Sequence, residues 1–350
     1  MKKVIIFELI LTFVLLQASL AFSGRTLKKV LLNFPSGSSI NKVIWNGKSF
    51  FLAGESNVKS AIFGKYDLNQ FKDLSNLLPS YYVSLNDCVW TGKAIFIVGS
   101  GSIKAVMGEY IPSTGYFKDL TDKIPYYWKY NLGIAYNGKL LTIVGESADG
   151  SAVMGTYDPS NEKFYDFSDK INKNGLLESV ASNGKNFLAV GWKTTMPQRS
   201  LIISYDPPSK RVTDMSTLTS NFKNYNLGIK SIVWDGNEYV FVSNYAFGKY
   251  ENGFEDLSNE LNTIHLLSFS STSKYRYGQL NRMNCGNGRC LILGNGVLLV
   301  YYSLNKKLEA VEDFIANYEY VSLTSSAWDG KEFLIAGEKN GKPKFFLFKP

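Results

Sequence analysis

The 350-residue chain has one histidine, His265, set between apolar neighbours in Asn262-Thr263-Ile264-His265-Leu266-Leu267. A Ser-His-Asp triad or a His-ligated metal would have to use it. No partner set accompanies it in the sequence, so it reads as a satisfied or surface histidine. Paired carboxylates are the remaining route to hydrolysis, because glycosidases place two acids across the scissile bond. Asp87 and Glu178 stand near the starts of apolar strand patterns and could face a common centre. Acids at strand ends are usually solvated. A carboxylate-dependent polysaccharide hydrolase or lyase is therefore the alternative reading, not the leading one. No Walker-type phosphate loop is present. Six arginines scattered from Arg25 to Arg289 form no anion-gripping cluster. Neither a cofactor nor a metal is expected.

Recognition chemistry is better represented. Aromatic residues gather in the connections that precede each strand group: Tyr81 and Tyr82; Tyr126, Tyr127, Trp128 and Tyr130; Phe222 and Tyr225; Tyr275 and Tyr277; Tyr318 and Tyr320. Lys129, Lys223, Lys274 and Arg276 sit among them, and another loop holds Trp192, Lys193 and Arg199. Tyr and Trp offer a large contact area with a polar handle and little entropy loss, which suits sugar rings or protein partners. Tyr126, Tyr127, Trp128, Trp192, Tyr275 and Tyr277 are the candidate ligand anchors. The structural alternative is that such rings pack between neighbouring elements.

These residues need a scaffold, and an internal repeat supplies it. Val43-Ile44-Trp45-Asn46-Gly47-Lys48-Ser49-Phe50-Phe51-Leu52-Ala53-Gly54 returns around Gly92, Gly138, Gly184, Gly236, Gly288 and Gly330. Asn-Gly or Asp-Gly between apolar runs predicts a hairpin with a type I′ turn. A third strand follows, as in Met154-Gly155-Thr156-Tyr157-Asp158-Pro159, and then a fourth, as in Phe117-Lys118-Asp119-Leu120-Thr121. Four strands, A to D, per ~45 residues make one blade of a β-propeller. Seven copies predict seven blades within a single domain over 22–350. The last copy lacks a strand D. Leu27–Pro35 precedes the first strand A and can fill that place, closing the ring and removing an exposed edge. The Asp-Leu-Ser/Thr element at 73–75, 119–121 and 256–258 reads as a local device that satisfies turn amides.

With its Asn-Gly-Lys hairpins, its B strands ending in Gly and its Tyr-Asp-Pro turn after strand C, the chain resembles the kelch-like propellers. A single Gly stands at 54, 99, 145, 191 and 337 where those repeats carry a doublet, and Phe71, Phe117, Phe164 and Phe254 replace their strand-D Trp. The resemblance implies a fold and carries over no functional residue, because one fold hosts many functions.

Lys2 and Lys3, the apolar run Val4–Leu16 and the small residues before Ala21 form the pattern of a signal peptide over 1–21. The run is shorter than the ~20 residues of a membrane span, which argues against an uncleaved anchor. A secreted protein is expected, in an extracellular, periplasmic or cell-surface location. In that setting Cys285 and Cys290, which flank a tight turn, could pair as a disulfide. Cys88 reads as a buried thiol. The formal charge of +8 comes from dispersed lysines without a dense block, so no nucleic-acid partner is expected. No Asn-x-Ser/Thr site occurs, which disfavours a glycosylated ectodomain. The sequence thus points to a monomeric, non-catalytic module binding a glycan or a surface protein through its D–A and B–C loops. A structural component of the cell envelope is a further alternative.

Overall fold

The computed structural model describes residues 25–350 apart from 33, 35–36, 69, 172–173, 195–199, 220–227, 263–278 and 319. The expected signal peptide therefore lies outside the described residues, as do His265, Tyr275, Tyr277 and Arg199. No helix among the described residues is long and apolar enough to cross a membrane.

Seven four-stranded antiparallel sheets form the blades of a propeller. The innermost A strands are Ser39–Trp45, Tyr82–Trp90, Trp128–Tyr136, Leu176–Ser182, Ser231–Trp234, Leu280–Gly286 and Ser322–Trp328. Each contacts the A strands of both neighbouring blades, and the first meets the last, so the ring is closed. The seventh sheet takes its outer strand from the other end of the chain. Thr26–Val30 pairs antiparallel with Lys342–Lys349, from Thr26 opposite Lys349 to Val30 opposite Phe345.

The hairpins differ from the expected type I′ geometry in six of seven blades. Trp45 pairs with Phe50, which leaves a four-residue loop. The Asn46 side chain accepts the N–H groups of Lys48 at 3.0 Å and Ser49 at 2.8 Å. Only the glycine needs left-handed backbone, with φ +90° at Gly47. An Asx-type cap has replaced a second positive φ. Asn137, Asn183, Asp235 and Asp329 repeat it. The least repeat-like copy is the one with a two-residue turn: Gly286 pairs with Arg289, and Asn287 and Gly288 both have positive φ.

The blade rim is alike in the first five blades. Oδ1 of Asp73, Asp119, Asp166, Asp214 and Asp256 accepts the N–H two residues on, at 2.8–3.0 Å. The Ser or Thr so held accepts a strand-C amide, as at Phe63, Met154 and Ile202. These carboxylates are thus committed to holding strand D on its blade.

The core lies between blades. One cluster joins Phe96 and Met107 of the second blade to Trp128, Ile143 and Tyr157 of the third. Side chains of this size contribute roughly 1.5–3 kcal/mol each when fully buried. Cys88 is a free buried thiol. Burial, reinforced by the Asp87 carboxylate beside it, raises its pKa well above the ordinary value.

Candidate functional site: the mouth of the central channel

In six blades strand A carries a β-bulge at the same place. Asn41, Asn86, Leu132, Glu178, Asn281 and Thr324 are the extra residues, skipped in the pairing with strand B. The residue paired just before each bulge faces a glycine, for instance Leu85 opposite Gly99 and Leu177 opposite Gly191. The bulge pushes an inner-strand carbonyl onto that glycine. A Cβ at Gly54, Gly99, Gly145 or Gly191 would stand 1.9–2.0 Å from the carbonyl oxygen of Ser39, Ser84, Tyr130 or Leu176. This contact is the reason strand B ends in glycine.

A bulge re-aims the side chain it carries. All six extra residues, with Lys230 in the equivalent place of the fifth blade, line one funnel of about 680 Å³ on the D–A loop face. Below it, the A strands of the ring enclose a cavity of about 280 Å³. Volumes of this order suit a small ligand or a short segment of a larger one.

Two ion pairs cross the channel wall. Lys42 Nζ lies 2.7 Å from Asp87 Oδ1, and Lys230 Nζ lies 3.1 Å from Glu178 Oε1. Asp87 also accepts the backbone N–H of Cys88 at 2.8 Å and of Ile134, one blade on, at 3.1 Å. Glu178 Oε1 accepts the Trp192 indole at 3.3 Å, while Glu178 Oε2 is buried and has no hydrogen-bond partner among the described residues. Asp87 and Glu178 thus both line the channel, as their positions suggested. Each is held by a lysine and further donors, which is poor preparation for general acid–base work. No group of three or more His, Cys, Asp or Glu among the described residues could hold a metal ion.

The polar residues of the mouth also bolt blade to blade. Asn41 Nδ2 donates to the Leu85 carbonyl at 3.0 Å, and Asn86 Nδ2 to the Asn131 carbonyl at 2.9 Å. Thr324 Oγ1 donates to the Ile40 carbonyl at 2.5 Å, and Arg282 Nη1 to the Lys230 carbonyl at 2.7 Å.

The structure divides the predicted anchors. Tyr126 is 77% exposed and Tyr127 47%, and the Tyr127 hydroxyl donates to Asp166 at the rim. Trp192 is half-buried and tied to Glu178. Trp128 requires a correction: it is fully buried, edge-on to Phe164 at 5.4 Å between ring centroids. Strand A of the third blade starts at Trp128 itself, so the ring turns into the core instead of belonging to the loop. The matching Tyr82 is buried for the same reason. Cys285 and Cys290 stand opposite each other and are joined as a disulfide.

Sequence reasoning noted Glu178 but missed the other mouth residues. Their signal was a column six residues before the turn glycine that reads Asn41, Asn86, Leu132, Glu178, Lys230 and Thr324, displaced by one to Asn281 in the sixth blade with its shorter hairpin turn. The neighbouring column is apolar at Ile40, Leu85, Leu177, Leu280 and Leu323 and polar only at Asn131 of the third blade.

No family model matches the chain, and no curated protein matches it. Among solved structures, a chain described as "YCF48 bound to D1 peptide" is similar over 92% of this chain and 96% of that one, with a TM-score of 0.62 and 12% sequence identity. At that identity the likeness speaks for the seven-bladed propeller fold alone.

Proposed function

We propose that this protein is an exported, non-catalytic recognition module that takes a segment of a protein partner into the channel mouth, with Tyr126 and Tyr127 exposed farther out on the D–A loop leading into the third blade. The observation that carries the reading is the contrast between uniform and varied positions. A structural need that recurs from blade to blade can be met by one residue type, as by the rim aspartates of five blades and the strand-B glycines of six. The bulge position instead carries Asn, Leu, Glu, Lys and Thr. A mouth whose residues differ from blade to blade suits a ligand without sevenfold symmetry. The unpartnered Glu178 Oε2 adds an acceptor waiting for a donor, a state that costs about 1–3 kcal/mol when left unmet. The peptide named with the structurally similar chain agrees with a protein ligand. The Cys285–Cys290 disulfide and the N-terminal pattern support export. Kinship with kelch-like propellers is part of the same reading and rests on the hairpin and turn motifs.

The test is a screen of the purified chain against peptide and glycan panels, recording any chemical change in the ligand. Saturable peptide binding that weakens about tenfold in Leu132→Asp supports the proposal. Leu132 lines the mouth, and its side chain, unlike those of Asn41 and Asn86, has no polar group with which to bolt a neighbouring blade. Binding confined to glycans, or a ligand returned hydrolysed, sinks it.

A further inference from the structure

On the opposite face, between the hairpins of the first and second blades, lies a groove of about 990 Å³. Lys48, Lys65, Lys72 and Lys93 line it together with one acid, Glu109. None of the four lysines takes part in an ion pair among the described residues. Trp90 and Tyr110 contribute an aromatic wall, continued by Ile111 and Pro112.

The charge arrangement is peculiar to this blade. Lys65 on strand C stands directly opposite Lys72 on strand D. The same position pairs Glu109 with Lys118 in the second blade and Lys249 with Glu255 in the fifth. It pairs Thr156 with Tyr165 and Ser204 with Thr213 in the third and fourth. Val300 faces Glu309 in the sixth and Leu347 faces Lys28 in the seventh. Only the first blade sets like charges against each other. That arrangement destabilises a sheet, and two further lysines reach the same groove from the hairpin loops. Four cations gathered around a single acid beside an aromatic wall are matched by an anionic ligand with an apolar group of its own.

We propose that this groove docks an acidic peptide segment of a protein partner, with carboxylates on the lysines and an apolar side chain against Trp90 and Tyr110. An acidic peptide carries both complements at once, carboxylates for the lysines and an apolar side chain for the aromatic wall. This site is separate from the channel mouth, and its success or failure is independent of that reading.

Fluorescence anisotropy with the full chain tests it, using a labelled peptide of repeating Asp-Glu-Phe units, its Asn-Gln-Phe counterpart and polyglutamate. The expected result is saturable binding of the acidic peptide only, weakened about tenfold in Lys65→Gln/Lys72→Gln and unchanged in Leu132→Asp. The double variant should also melt no lower than the parent, since it relieves a like-charge pair. Equal binding by parent and double variant overturns the proposal. Polyglutamate binding as tightly as Asp-Glu-Phe overturns it in favour of a general polyanion, and loss of binding in Leu132→Asp moves the peptide to the other face.

Discussion

The fifth blade and its six neighbours build the inner strand differently. In the six, strand A is bulged and strand B ends in a glycine. In the fifth, Ser243 occupies the glycine position, strand A is cut to Ser231–Trp234, and Lys230 donates its N–H straight to the Val242 carbonyl. Where a Cβ is present the carbonyl cannot press inward, and the described residues of the fifth blade show no register shift. Glycine on strand B thus goes with a bulge on strand A, while Lys230 reaches the mouth from the blade that has neither.

The comparison can be broken most severely from within the long inner strands. Trp128→Ala in the third blade should cost about 3–5 kcal/mol in denaturant unfolding, against less than about 0.5 kcal/mol for its exposed neighbour Tyr126→Ala. Similar small losses for both would mean that the strand does not anchor there. Next comes the glycine itself. Gly99→Ala sets a methyl 1.9 Å from the Ser84 oxygen and should cost about 3 kcal/mol. Ser243→Gly in the fifth blade should cost no more than about 1 kcal/mol. If Gly99→Ala melts like the parent, glycine is not what permits the bulge.

A smaller effect concerns the rim, which the first five blades share. Burial pushes the Asp119 carboxyl upward, but hydrogen bonds from Tyr81, Thr121 and Tyr82 outweigh it and hold the group below its usual range. Burial, together with the same contact with Asp119, pushes the Tyr81 phenol up to about 12. Ionised Asp119 therefore stabilises the fold above the unfolded-state value of about 3.9, and this is lost as pH falls through the lower folded value. Asp119→Asn should melt below the parent at pH 7, and the gap should close below about pH 4. A gap that persists in acid would show that the carboxylate's charge is not what matters. Smallest in stability is Asn281→Ala, expected within about 1 kcal/mol, because its amide bonds Asn295 within its own blade. A larger loss would place it among the bolts of the ring.

The seven blades and their closure by an N-terminal strand were legible because a repeat multiplies a weak signal, although the strand expected over 27–35 pairs only over Thr26–Val30. The hairpin glycine was found, but its turn type was misread. Asn46 solves with a side-chain acceptor what Asn287 solves with backbone, and the letters are the same. The bulges left no local trace, since an extra residue in an alternating strand looks like a lapse in alternation. Only aligning the blades on their turn glycine exposes it. Trp128 was misplaced for a related reason: an aromatic next to a loop and an aromatic opening a strand look alike until register is known.

The join between Thr26–Val30 and Lys342–Lys349 has a kinetic side. The two partners are almost the whole chain apart, so loop-closure entropy opposes their pairing until the intervening blades have ordered. However the chain is produced, its earliest-made strand must wait for its latest. During that wait Lys342–Lys349 offers Phe345, Phe346 and Phe348 on an unguarded edge, where a second molecule's strand could be accepted in place of its own.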